Sequence, residues 1–264
     1  MKPLKIVLFT FRILLLSACL HVIISCKSET ASPVQEEVSN SFPEETTSPV
    51  VEETASPVKE EVVNSTPEVA ANSAKGIAYF ESGLKAADVN NMPLAFKDFL
   101  AGAKEGHIYA QYNVGLMYEQ GLGINKNAKE AVYWYNESAK QGNSAAQFNL
   151  GVCYENGIGT TVDFKKANEW FRKASVQGDG MAVGNLGMLF IRGQGVKVNK
   201  VAGIALLLMS TTMDSSPENL AKNNISTTSG LTTAMVTEAQ ALSDEMSKSN
   251  NLLVPLDNYL NAAK

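Results

Sequence analysis

The side chains that could carry out chemistry are few in this chain of 264 residues. It contains two histidines, His21 and His107, and three cysteines, Cys19, Cys26 and Cys153. A zinc site or a disulfide framework needs several of these residues together, so their number excludes both. A general base or a cysteine nucleophile needs an activating partner, and the sequence offers none. We therefore predict no catalytic residue, no metal and no cofactor, and place His107 at a helix cap and Cys153 in the core.

The chemistry that the sequence does indicate is lipid attachment near the N-terminus. Residues 1–12 carry three positive charges, and residues 13–25 form an uncharged, largely apolar stretch. That order is typical of a bacterial export signal, and the apolar part is shorter than the ~20 residues that a membrane span needs. The sequence IISC at residues 23–26 is followed at once by polar residues. It resembles the lipobox of bacterial lipoproteins.

By this resemblance, Cys26 would receive the lipid and become the first residue of the mature protein. The sequence LSAC at residues 16–19 also fits the pattern, with Cys19 as the lipid site, but it would leave an apolar stub on the mature chain. An ordinary cleaved signal is the third interpretation. Lipoproteins of this type carry several acyl chains, which makes a stable anchor. The resemblance implies a lipid-anchored protein of the bacterial cell envelope, and because Lys27 is not an acidic retention signal we expect the outer membrane.

Residues 26–73, here called the tether, have the composition of a disordered linker. Residues 32–71 divide into five octads in which glutamates recur every eight residues, and five of the nine prolines of the chain lie there. The tether carries ten glutamates against two lysines. Proline, like charges and a low apolar content keep such a segment open, with a reach of roughly 40 Å. We predict a spacer; the alternative is a strip that docks on a basic surface.

A repeat of 36 residues dominates the rest of the chain. The units span residues 107–142, 143–178 and 179–213. The aligned sets are Ala110/Ala146/Ala182, Asn113/Asn149/Asn185, Gly115/Gly151/Gly187, Tyr118/Tyr154/Phe190 and the glycine pairs 121/123, 157/159 and 193/195. Residues 74–264 carry equal numbers of acidic and basic side chains. That neutrality argues against a nucleic-acid partner, which requires a basic surface.

Each unit is predicted to form two helices. Apolar and small residues of the first half follow helical spacing, and the glycine pair ends that helix. Asn127, Asp163 and Asn199 precede the second helix as N-caps. Gly115 and its copies lie inside the first helix, where glycine destabilises by up to ~1 kcal/mol relative to alanine. Their recurrence predicts that another helix crosses there with no room for a methyl group.

The pattern A-Q-x-N-L-G-x-x-Y-x-x-G-x-G, followed by A-x-x-W-[YF] and Q-G, resembles the Sel-one-like repeat, a variant of the tetratricopeptide repeat. The resemblance implies an all-α fold, a right-handed α-solenoid of helix-turn-helix units. Residues 107–213 carry it, and residues 74–106 look like a degenerate earlier unit whose first helix lacks the glycine motif. The third unit lacks a closing glycine. Residues 214–264 are predicted to form capping helices, with residues 231–247 covering the last face.

The resemblance also places a partner-binding groove along the first helices, because equivalent positions of each unit face the concave side in the tetratricopeptide frame. These positions are Tyr112, Asn113, Leu116, Glu119 and Gln120; Phe148, Asn149, Val152, Glu155 and Asn156; and Gly184, Asn185, Met188, Ile191 and Arg192. The strip is apolar in the middle, acidic in two units and basic at Arg192, which suits a peptide or helix with apolar anchors and some basic charge. The alternatives are that Tyr112 and Phe148 pack helix on helix, and that the three asparagines are structural.

Three classes of function remain for such a chain. A membrane-tethered scaffold that binds an unidentified protein or peptide is the favoured one. A protein that binds envelope glycans or small ligands is the alternative, and it would need exposed aromatic rings, whereas Trp134 and Trp170 are predicted to be core residues. A hydrolase related to β-lactam-binding repeat proteins ranks last, because those relatives carry paired cysteines in each unit and here only Cys153 occurs.

Overall fold

The computed structural model describes residues 73–262, which fold into eleven α-helices and no strand. The predicted export signal, both candidate lipid sites and the tether up to residue 72 lie outside the described residues. The helices are α1 (Ala74–Asp88), α2 (Met92–Lys104), α3 (Ile108–Gln120), α4 (Ala128–Lys140), α5 (Ser144–Asn156), α6 (Phe164–Val176), α7 (Gly180–Arg192), α8 (Lys200–Met213), α9 (Ala221–Thr227), α10 (Thr233–Lys248) and α11 (Leu253–Ala262).

The helices stack in the order of the sequence. Each helix from α1 to α8 packs against the next one, so that α1–α2, α3–α4, α5–α6 and α7–α8 form four successive pairs. The predicted α-solenoid is confirmed. Within residues 73–262, buried apolar side chains form three core clusters, so this part of the chain has a hydrophobic core. No helix in this part of the chain has the length and apolar character needed to cross a membrane.

The helix ends follow the predicted capping. The second helices begin after Asn127, Asp163 and Asn199, whose side chains accept hydrogen bonds from backbone N–H groups of the first turn. The first helices end at Gly121, Gly157 and Gly193, which adopt left-handed backbone geometry. A side chain at these positions would strain the backbone, so the first glycine of each pair fixes the end of the helix.

Glycines inside the first helices allow the two helices of a unit to touch. A Cβ added at Gly151 would lie 2.6 Å from the ring of Phe171, and one at Gly115 would lie equally close to Tyr135. In the third unit a Cβ at Gly187 would lie 2.8 Å from the carbonyl oxygen of Gly203. The predicted close crossing is therefore present in all three units, and it explains why a residue unfavourable to helices recurs there.

The second glycine of each pair packs one unit against the preceding one. A Cβ at Gly195 would lie 2.5 Å from the carbonyl carbon and oxygen of Phe164, the first residue of α6. Gly123 and Gly159 meet the backbone at the start of α2 and α4 in the same way. Each interhelical loop thus rests on the first turn of the second helix of the previous unit.

A set of hydrogen-bonded glutamines, here called the glutamine ladder, links the two helices of a unit and also joins successive units. Gln141 donates from Nε2 to Oε1 of Gln111 over 2.7 Å, and Gln177 makes the same bond to Gln147. Gln111 and Gln147 are buried and donate in turn to the backbone carbonyls of Ala103 and Ala139. Buried amides need hydrogen-bond partners of this kind. The third unit has Val183 in place of the buried glutamine, so it needs no such bond.

The unit formed by α1 and α2 retains the interhelical glycine, contrary to the sequence interpretation. A Cβ at Gly83 would lie 2.5 Å from the ring of Phe99, which stands 36 residues before Tyr135. Three residues separate α1 from α2, whereas seven separate α3 from α4. The loop is shorter by four residues, so the glycine falls four residues out of phase and a search at a fixed period of 36 misses it.

The end of the array is covered by three helices. Helix α10 overlaps the predicted residues 231–247, packs on α8 and buries Ala239, Leu242 and Met246. Helix α9 had no counterpart in the sequence prediction. Helix α11 buries Leu253 and Leu256 in the core, and Arg172 of α6 donates from Nη2 to both carboxylate oxygens of its Asp257, at 2.7 and 2.5 Å.

Candidate functional site

The first-helix face is defined here as the fifteen predicted groove positions on α3, α5 and α7. Within each helix they recur three or four residues apart or are neighbours, so they share one side of the helix. Arg192 of α7 lies 3.9 Å from Glu155 of α5, and Tyr112 and Leu116 of α3 pack against a core cluster that includes Leu150 of α5. The structure therefore brings the positions of the three helices into one surface.

The two aromatic residues of the face are partly buried. The ring centroid of Tyr112 lies 6.1 Å from that of Tyr135, and the centroid of Phe148 lies 6.0 Å from that of Phe171. Each therefore packs on the second helix of its own unit, as the helix-on-helix alternative describes. Both nevertheless keep part of their surface exposed, so they contribute to the core and to the face at once.

The apolar middle of the face is continuous through the three units. Leu116, Val152 and Met188 occupy equivalent positions, and each is partly exposed while it packs against a core cluster. Gly184, which stands where Tyr112 and Phe148 stand in the other units, is buried. The face therefore has aromatic rings in the first two units and is flatter in the third.

The two carboxylates of the face are in different environments. Glu119 accepts a hydrogen bond of 2.5 Å from the hydroxyl of the buried Tyr135. The side chain of Glu155 is only 15% exposed, and burial raises the pKa of its carboxyl group while the nearby Arg192 opposes that rise. At 3.9 Å the Arg192 contact is an ion pair without a hydrogen bond. Glu155 thus retains acceptor capacity that nothing in the described region satisfies.

The repeated asparagines also differ from one another. Asn113 donates from Nδ2 to the carbonyl oxygen of Tyr109 in its own helix. Asn149 and Asn185 are partly buried and make no side-chain hydrogen bond to another residue within 73–262. At the edge of the face, Gln120 has a buried Nε2 without an acceptor in the described region, and Asn156 donates to the carbonyl oxygen of Val152.

Of the residues that the sequence assigned to the core, Cys153 and Trp134 are buried, whereas the prediction for Trp170 is wrong because its side chain is not fully buried. Cys153 is 2% exposed, and burial, with a smaller contribution from Glu119, raises the pKa of its thiol to about 12. A thiol in that state is not a nucleophile. Trp134 is buried, whereas Trp170 is partly exposed and lies under the ammonium group of Lys173, 4.0 Å from the ring centroid.

His107 caps helix α3. Its Nδ1 accepts a hydrogen bond of 3.2 Å from the N–H of Ala110, and its ring stacks on Phe80 with the centroids 4.5 Å apart. The residue is 5% exposed, and burial lowers the pKa of its imidazole below the ordinary 6.5. Only the neutral ring offers a lone pair at Nδ1, so the cap requires the unprotonated form.

Acidification is expected to destabilise the fold through this histidine. Because its pKa is lower in the folded state, the unfolded chain takes up the proton first as the pH falls. The contribution of the cap, about 1 kcal/mol, is present above the unfolded pKa and is lost as the pH falls through it toward the folded value. Urea unfolding of residues 73–264 at a series of pH values from about 8 to about 5 measures this loss.

The matched control is His107→Asn, because Asn143 caps helix α5 with an acceptor that does not titrate. In that variant the fall in unfolding free energy over the same pH range should be smaller by the contribution of the histidine. The same pH dependence in both proteins would show that His107 is not the titrating cap.

A match to a known repeat family agrees with this geometry. Residues 108–143, 144–179 and 181–215 each match the Sel1 repeat. A crystal structure of a Sel1 repeat protein from Oxalobacter formigenes is similar with a TM-score of 0.53 and 26% identity, over 67% of this chain and 80% of that one. A protective antigen of uropathogenic Escherichia coli with an SLR fold is 26% identical with a TM-score of 0.41, over 64% of this chain and 45% of that one. No curated protein matches the chain.

Proposed function

We propose that this chain, which contains three Sel1 repeats, is a protein-interaction scaffold of the bacterial cell envelope, anchored to the outer membrane by a lipid on Cys26. Sel1 repeats act in general in protein–protein interactions. The partner is a protein or peptide that lies along the first-helix face. The array then supports the partner, and the tether keeps both away from the lipid surface.

The observation that carries the proposal is the incomplete burial of the first-helix face. Leu116, Val152 and Met188 form a strip that is partly exposed in three successive units. Beside it, Asn149 and Asn185 have no side-chain hydrogen bond within the described region. Apolar anchors with free amides at regular spacing are what an extended peptide or an amphipathic helix requires of its receptor.

The charge of the face indicates which residues the partner carries. Glu155 is largely buried and makes no hydrogen bond within residues 73–262, and its ion pair with Arg192 is long. A lysine or arginine of the partner would complete the shell of this carboxylate at a shorter distance. Arg192 is half exposed, so it is free to turn toward an acidic group of the same partner.

Affinity capture from an envelope extract with residues 73–264 as bait tests the scaffold. The double variant Asn149→Ala and Asn185→Ala removes two amides that make no bond within the described region, so the fold should be unchanged. We expect the captured partner to fall by about tenfold, the effect of losing two hydrogen bonds of about 1 kcal/mol or less each.

The matched control is Glu169→Ala with Lys173→Ala, which changes two exposed residues of the second helix α6. This control should retain the partner. Equal capture by the two double variants, with their helicity unchanged, would show that the partner does not bind the first-helix face.

The anchor is supported by the sequence around Cys26. The lipobox-like residues 23–26 follow a basic start and an apolar stretch, and a proline- and glutamate-rich spacer separates them from the first helix. A spacer of this kind acts as a tether only if its N-terminal end is attached, and a lipid on Cys26 would attach that end to the membrane.

The variants Cys26→Ser and Cys19→Ser test the lipid site against each other. Cells grown with a labelled fatty acid should incorporate label into the parent chain and into Cys19→Ser, but not into Cys26→Ser. The opposite pattern would move the anchor to Cys19, and label-free parent protein would exclude lipidation.

A further inference from the structure

One contact between units changes its chemistry along the array. In the first instance Phe96 of α2 meets Tyr118 of α3, edge to face, with the centroids 5.1 Å apart. The residues 36 positions later are Val132 and Tyr154, both packed against a core cluster. In the third instance the pair is Asn168 and Phe190. An amide therefore stands where the earlier units have an apolar side chain, and the tyrosine hydroxyl is missing.

The amide of Asn168 has no partner for its donor. Its Nδ2 is buried and lacks an acceptor among the described residues. A buried N–H without an acceptor is destabilising, and native proteins avoid it unless another group supplies the bond. The Cβ–Cγ torsion of asparagine is soft, so a modest rotation turns this N–H toward the neighbouring space.

That space is a cleft of about 580 Å³ between α6, the loop before α8 and helix α11. Its volume lies within the range of small-molecule sites. Phe190, Val196, Val198 and Leu260 form its apolar walls. Helix α11 closes one side of this cleft, where Asp257 forms an ion pair with Arg172 of α6.

The polar groups of the cleft are mainly donors. Arg172 uses Nη2 for both bonds to Asp257, and its other guanidinium nitrogens have no acceptor among residues 73–262. Lys197 is exposed and forms no ion pair in that region. The amides of Asn168, Asn199 and Asn261 also line the cleft, and Asp257 supplies its single carboxylate, which is already paired with Arg172. An anion with two acceptor oxygens would complete this set.

We propose that this cleft binds a small organic carboxylate with an apolar body. The carboxylate lies at Asn168, Arg172 and Lys197, and the apolar body lies against Phe190, Val198 and Leu260. The site is separate from the first-helix face, since its residues come from α6, the loop before α8, the end of α7 and α11. Bound ligand stabilises the packing of α11, because the ligand and Asp257 of α11 contact the same guanidinium group, that of Arg172.

Titration of ¹⁵N-labelled residues 73–264 with 4-phenylbutyrate, followed by two-dimensional NMR, tests the proposal. We expect saturable shifts confined to α6, residues 190–199 and α11, with a dissociation constant on the order of a millimolar for a ligand of this size. 4-Phenylbutanol has the same apolar body without the charge and should bind about tenfold more weakly. 4-Phenylbutylamine should not bind at the cleft.

Two variants locate the carboxylate. Asn168→Val restores the residue type of the preceding unit, so it should weaken 4-phenylbutyrate binding about tenfold and raise the melting temperature by removing the unpaired donor. Lys197→Gln removes an exposed charge without touching the core and should also weaken binding, whereas Lys165→Gln, on α6 outside the cleft, should not. Absence of saturable shifts, or equal binding by the acid, the alcohol and both cleft variants, would overturn the proposal.

Discussion

Replacing Gly159 with alanine is expected to lower the free energy of unfolding of residues 73–264 by about 3–4 kcal/mol. Two effects add up. Gly159 has a φ of +68°, where alanine is strained, and its Cβ would lie 3.0 Å from the amide nitrogen of Lys129 and closer still to the carbonyl group of Ala128. Those atoms belong to the first turn of α4, and α4 cannot move away without separating the two units.

The control is Gly142→Ala, which separates the two effects. Gly142 has a φ of +95°, but a Cβ there would meet nothing within 4 Å. It should therefore lose only the conformational part, about 1–2 kcal/mol. Urea unfolding of both variants followed by circular dichroism measures the difference. Equal losses would mean that the second glycine of each pair is retained for its backbone angle and not for packing between units.

Replacing Phe171 with alanine should remove about 3–5 kcal/mol of stability. Phe171 is completely buried, fills the space that Gly151 leaves and touches the ring of Phe148. Because Gly151 has no side chain that could relax into the gap, the cavity stays open and the full loss is felt. Thermal and urea unfolding of the same fragment measure it.

Two comparisons make this prediction specific. Tyr133→Ala removes an aromatic side chain that is 52% exposed and should change stability by less than about 1 kcal/mol. Phe171→Leu should lose less than Phe171→Ala, since the third unit pairs Gly187 with Leu207 at the same positions. A loss from Phe171→Ala no larger than that from Tyr133→Ala would contradict the account of the interhelical crossing.

The repeated part of the fold could be predicted because each local signal occurs three times. Caps such as Asn127 and helix ends such as Gly121 depend on a few neighbouring residues, so they are readable from the sequence. Gly83 was missed because a loop shorter by four residues shifts its phase. Helix α9 was missed because it has only seven residues and no repeat counterpart.

The details of the candidate site depend on contacts that sequence spacing does not reveal. The hydrogen bond between Tyr135 and Glu119 needs the crossing point of two helices, and the Glu155–Arg192 ion pair needs the offset between units. The glutamine ladder carries a signal that could have been found, since Gln111 and Gln141 recur together at Gln147 and Gln177 and disappear together in the third unit.

The cleft beside Asn168 depends partly on residues that the aligned repeats reveal and partly on contacts that they do not reveal. The departures from the repeat at Asn168 and Phe190 are visible in the aligned units. The position of α11, which turns those departures into a cleft, depends on the burial of Leu253 and Leu256 in the core and on the long-range ion pair between Arg172 and Asp257. No periodic signal predicts that contact.

Cross-linking in living cells shows whether the first-helix face holds another protein. A photoreactive amino acid is placed in the full chain at Asn149 or Asn185, and, as matched positions on the second helix α6, at Glu169 or Lys173. We expect a discrete adduct with the same partner from both first-helix positions and none from the two on α6. Adducts only from Glu169 and Lys173, or equally from all four positions, would show that the partner does not bind this face.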